Sequence, residues 1–191
     1  MKTGSETFFE ETVSNAVLGV SISAIANRRP YRGPSSDLGT ITMTTNNPFR
    51  LHRVLRAPPD RVYRALLDPD AMGKWMPPQG FTGKVHEIDS VVGGSYFMSF
   101  TNFSTGTRHT FSETFDELVP DERIRYSNRL DDSDVPGETQ VTITLKAVSV
   151  GTELDIVTQE EGTDESQDGH YFGWQQSLAQ LVQLVEADTP D

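Results

Sequence analysis

The chain has 191 residues, a formal charge of −12 at pH 7 and 35% hydrophobic residues. That length buries one sizeable core and leaves little for a second, and the net acidity argues against binding nucleic acid or an anionic membrane, which takes clustered Lys and Arg. No cysteine is present, so disulfides, thiolate metal sites and cysteine nucleophiles are excluded as well.

Residues 1–46 differ in composition from the rest of the chain. The run from Val13 to Ala26 leans apolar but is broken by Ser, Asn and Gly, and it is too short to span a bilayer. Glu6, Glu10 and Glu11 stand where a secretory signal carries basic residues, which predicts no signal peptide and a cytoplasmic protein. The stretch "NRRPYRGPSSDLGTITMTTNNP" then has the Pro, Gly, Ser, Thr and Asn content of a linker. Composition therefore divides the chain into an N-terminal extension or linker over 1–46, a folded domain over 47–187 and a tail over 188–191. Translation from Met1 or from Met43 is compatible with this division. Residues 1–42 hold four basic and four acidic residues, so the remainder carries the whole −12.

From Pro48 the patterning is regular. "FRLHRVLRA" alternates as a first strand, and "PPDRVYRALLDP" opens on proline with Val62, Leu66 and Tyr63, Leu67 at helical spacing. A second short helix, "DAMGKWM", ends at Pro77-Pro78. Six strand-like runs come next, at 81–89, 95–103, 107–118, 123–130, 138–148 and 151–159, separated by turn chemistry such as "VVGGS", "STGT" and "VPDE". Connections this short predict antiparallel neighbours, so about seven strands in all. The closing segment, "DGHYFGWQQSLAQLVQLVE", sets Tyr171, Trp174, Leu178, Leu181, Val182 and Val185 on one helical stripe with Leu184 off it. At roughly 1.5–3 kcal/mol per buried side chain, that stripe requires cover, and the sheet is the available surface. The fold class is α+β, with the helices on one face of the sheet.

Four stretches in this order, "RVLRAPPDRVYRALLDPDAMGKWMPP", "DSVVGGSYFMSF", "ETFDELVPDERIRYS" and "GWQQSLAQLVQLVE", resemble the SRPBCC (START-like, helix-grip) superfamily. Within it the likeness is to the activator of heat-shock-protein-90 ATPase homologue-like group, over residues 49–186. The resemblance implies a curved antiparallel sheet wrapped around the long C-terminal helix, with a deep cavity between them for small apolar or amphipathic molecules. It implies little about chemistry, because the fold hosts cyclases, carriers and co-chaperone modules alike. The chain has no room for the extra N-terminal domain of the eukaryotic co-chaperone, which argues against a chaperone partner. It departs from the group's pattern at Glu113, where a glycine is usual.

Candidate ligand-binding residues are Trp75, Tyr96, Met98, Phe100, Phe111, Trp174 and Leu178, aromatic or apolar positions on the two short helices, the strands and the closing helix. Which face of strand 95–101 turns inward is left open by the sequence. His109 and Glu113 share a strand face and are candidate acid/base residues, although positions i and i+4 lie about 13 Å apart on a strand and would act on opposite ends of one ligand. His86 is a further polar candidate. No metal or cofactor is expected: His52, His86, His109 and His170 are scattered, "DDSDVPGE" lacks the register of a calcium loop, and "VVGGSY" lacks the helix and lysine of a phosphate loop. These observations favour a binding protein for a small hydrophobic ligand over an enzyme or a co-chaperone-like module.

Overall fold

The computed structural model describes residues 48–129, 138–160 and 167–187, and the expectations for the N-terminal extension, the "DDSDVPG" turn, the tail and the side chain of His170 lie outside them. The elements run β1 (Phe49–Leu55), α1 (Pro59–Leu67), α2 (Pro69–Trp75), β2 (Phe81–Ile88), β3 (Ser95–Asn102), β4 (Arg108–Val119), β5 (Arg123–Arg129), β6 (Glu138–Val148), β7 (Gly151–Glu160) and α3 (Gln167–Val185). The seven strands form one antiparallel sheet in the order β1-β7-β6-β5-β4-β3-β2. Each hairpin thus lies beside its sequence neighbour, and only β1 crosses the chain to close against β7.

Local chemistry explains the short helices. Pro59 opens α1, Asp60 stands in its first turn, and Val62, Ala65 and Leu66 bury one face. Asp68 ends α1 and caps α2, its carboxylate accepting from the Ala71 N–H at 2.8 Å. The α2 helix then lies unusually close to β2: a Cβ added at Gly83 would stand 2.9 Å from the Gly73 carbonyl oxygen. The two glycines permit this approach, which sets Trp75 over the concave face of the sheet.

Period-two alternation builds the core. Tyr96, Met98 and Phe100 on β3, Phe111, Glu113 and Phe115 on β4, Ile124 and Tyr126 on β5, and Val141, Ile143 and Leu145 on β6 are all buried. The inward face of β3 is therefore the aromatic one. Bulges between Val85 and Glu87 and between Phe115 and Glu117 interrupt the register of β2–β3 and β4–β5, devices that bend a sheet locally.

The concave face holds α3, which buries Leu178, Leu181 and Val185. Tyr171 departs from the expected stripe and is 43% exposed. Its ring meets Phe49 edge-on at 6.0 Å; Phe49 belongs to β1, the last strand of the sheet, so among the described residues no further strand covers the tyrosine. Leu184, expected off the stripe, packs partly buried against the core. Polar ties fix α3 on both flanks: Ser177 Oγ donates to the Met76 carbonyl at 2.6 Å, Arg53 donates to Gln175, and Glu186 accepts from both the backbone N–H and the side chain of Arg56. Among the described residues no helix is long and apolar enough to cross a membrane.

Candidate functional site

Between α3, the end of α2 and the middle of the sheet lies a cavity of about 40 Å³. Its helical wall is Trp75, Met76, Trp174 and Ser177, and its sheet wall comes from β3 to β6. Trp75 is held rigidly, its indole N–H donating to the Ala65 carbonyl at 2.8 Å. Trp174, one helical turn before Leu178, is half-buried with its ring centroid 6.5 Å from that of Trp75.

Opposite the indoles stands a polar group in aromatic surroundings. Glu113 is 8% exposed, and its Oε2 accepts from the Tyr96 hydroxyl at 2.6 Å. Tyr96 in turn meets Tyr126 edge-on at 6.0 Å, and the two hydroxyls interact. Burial pushes the Glu113 carboxyl up to about 7, opposed in part by the bond from Tyr96. Burial and the neighbouring carboxylate push both phenols well above their ordinary range. At neutral pH Glu113 thus stands near half-ionised while both tyrosines keep their protons.

The candidates from the sequence divide by position. Trp75, Tyr96, Phe100, Phe111 and Trp174 line the cavity. Met98 and Leu178 are buried in the adjacent core and do not form its wall. Glu113 reaches the cavity, whereas His109, on the same face of β4, packs its ring 6.5 Å from Phe81 and is not part of the lining. Glu113 and His109 therefore do not converge on one space. His86 sits at the β2 bulge and turns to the outer face, where its Nε2 is 2.8 Å from Ser99 Oγ and its ring lies 5.1 Å from Phe97.

Four lining residues were not anticipated: Met76, Tyr126, Val141 and Ser177. The alternation Ile124, Tyr126 in "RIRYSNR" and Val141, Ile143, Leu145 in β6 carries the signal for two of them. Ser177 falls one turn after Trp174. On the outer face the β1–β7 register also brings together His52, Glu153 and Asp155, with donor atoms within 4.8 Å of one another. Arg50 pairs with Asp155 at 2.9 Å and Lys146 with Glu153 at 3.7 Å, so these carboxylates already have cationic partners.

A long helix gripped by a curved antiparallel sheet, with an aromatic cavity between them, defines a helix-grip protein of the START-like kind. Residues 56–186 match the family described as Activator of Hsp90 ATPase homolog 1-like protein, and the chain belongs to that family. A crystal structure of a protein from Chromobacterium violaceum is similar at 53% identity and a TM-score of 0.70, covering 74% of this chain and 99% of that one. A Nitrosomonas europaea protein shares the fold at 21% identity and a TM-score of 0.63, covering 73% of this chain and 94% of its own. So does an AHSA1-like protein from Aeromonas hydrophila, at 18% identity and a TM-score of 0.62, covering 76% and 99%. No curated protein matches the chain.

Proposed function

We propose that the protein binds a small amphipathic molecule in the cavity under α3, with the ligand's apolar part against the rings and its polar group at Glu113. The observation that carries this reading is a buried carboxylate set in a cavity whose lining is largely aromatic. A carboxyl group kept from water in a packed core costs free energy unless its hydrogen-bonding capacity is used, and a concave aromatic site with few convergent polar groups is the usual form of a ligand pocket. Membership of a fold that commonly binds ligands supports the same reading.

Size limits the occupant. A volume of about 40 Å³ holds a few water molecules, and drug-sized ligands take roughly 300–1,000 Å³. The ligand is accordingly small, or the half-buried Trp174 swings aside to admit a larger one. Native mass spectrometry of protein purified from its own source tests the proposal. A reproducible added mass that disappears on denaturation is expected; a clean apo spectrum from every preparation argues against a resident ligand.

A further inference from the structure

We propose that the molecule this cavity selects is a small organic amine in its protonated form, its N–H groups on the Glu113 carboxylate and its carbon chain against the surrounding rings. The proposal rests on the cavity's being a ligand site and names the chemistry that such a site recognises.

Charge is the first argument. Among the described residues that line the cavity, Glu113 is the only one whose side chain carries a formal charge. The titratable groups facing it are Tyr96 from β3 and Tyr126 from β5, both phenols that burial keeps neutral. From α2, its C-cap and α3 come Trp75, Met76, Trp174 and Ser177, none of which titrates near neutral pH. His109 on β4 packs on Phe81 outside the lining, and Arg53 on β1 is engaged by Gln175. Among the described residues no cation lines the cavity with the carboxylate, and an ionised carboxylate in such surroundings is stabilised by one.

Ring geometry is the second argument. Aromatic faces carry the negative end of a quadrupole and attract an ammonium group within about 6 Å of their centroids. Here two indoles line the cavity together with the carboxylate, and Phe100 and Phe111 belong to its sheet wall with centroids 5.0 Å apart. An anionic ligand would be repelled by ring faces and carboxylate alike, and a neutral one would gain apolar contact and a hydrogen bond but neither the ion pair nor the cation–π attraction.

A proton is coupled to this binding. Burial holds the Glu113 carboxyl at about 7, so at lower pH an ammonium ion must displace that proton. The affinity for an amine then rises about tenfold per pH unit below 7 and levels off above it. A neutral ligand that accepts a hydrogen bond from the protonated acid shows the opposite trend.

The test uses the full chain titrated with n-butylamine and with n-butanol at pH 5.5 and pH 8, followed through tryptophan fluorescence. Butylamine is expected to bind about thirtyfold more tightly at pH 8 than at pH 5.5, to outcompete butanol at pH 8, and to lose its advantage in Glu113→Gln. Butanol binding as well as butylamine at pH 8 overturns the amine proposal and leaves the ligand site standing. Failure of both compounds to bind overturns both. The comparison of butylamine with butanol is made on the unaltered chain, so it decides the matter even if Glu113→Gln folds poorly.

Discussion

Glu113 makes the folded state sensitive to pH near neutrality. Its carboxyl keeps a proton up to about 7 when folded, against 4.5 for an unperturbed glutamate. The folded chain therefore binds the extra proton between these values, and this group's contribution to stability is full below pH 4.5 and is lost as pH rises through 7. Glu113→Gln removes the titration. Urea denaturation is expected to show variant and parent alike in this respect at pH 4.5, and the variant gaining on the parent by up to roughly 3 kcal/mol by pH 8. A stability difference that does not move between these pH values contradicts the assignment. Tyr96→Phe acts in the other direction, because the phenol is the donor that partly supports the carboxylate. Its loss raises the Glu113 carboxyl further and costs about 1–3 kcal/mol, most at pH 8, where the carboxylate form needs that donor; a carboxyl-carbon NMR titration reads the shift directly. Burial of Glu113 follows from the alternation of Phe111, Glu113 and Phe115. Its bond to Tyr96 was not legible in the sequence, since it depends on the β3–β4 register that sets Tyr96 opposite Glu113.

At the scale of elements, the cavity exists because α2 and α3 are held at a fixed height above the sheet. Gly73 and Gly83 set that height for α2, and Gly83→Ala would drive a methyl group against the Gly73 carbonyl and the Pro77 ring. Displacement of α2 is expected to cost about 1–3 kcal/mol, seen as a lower thermal midpoint together with a changed Trp75 emission; an unchanged midpoint shows that α2 is not seated by this contact. The two indoles contribute unequally. Trp75 is 2% exposed and hydrogen-bonded to Ala65, so Trp75→Ala is expected to cost about 3–5 kcal/mol. Trp174 is only half-buried, and Trp174→Ala is expected to cost less in a urea titration while enlarging the cavity that its ring lines. Element order and strand spans were legible because alternation and turn residues are local signals. The glycine contact between α2 and β2 joins residues that no periodicity relates, and the exposure of Tyr171 depends on where the sheet ends.

At the largest scale, one sheet, one long helix and two short ones among the described residues enclose an aromatic cavity with a carboxylate in its wall. The four sequence stretches, taken in order, were enough to place the chain among helix-grip proteins. They did not convey the cavity's size: the resemblance implied a deep space, and the structure has one of about 40 Å³, because the large rings of Trp75, Trp174, Phe100 and Phe111 occupy the gap that smaller side chains would leave open. Volume is a sum over side chains brought together by the fold, which no single stretch encodes. The two tryptophans are the only ones in the chain, and both line the cavity, so they report on its occupancy. The most direct test is a ¹H–¹⁵N NMR titration of the two indole N–H resonances with n-butylamine at pH 8. Saturable shifts of both resonances, together with the backbone amides of Glu113 and Ser177, are the expected result; shifts confined to the outer face around His86 and Phe97, with both indoles unmoved, would contradict binding in the cavity.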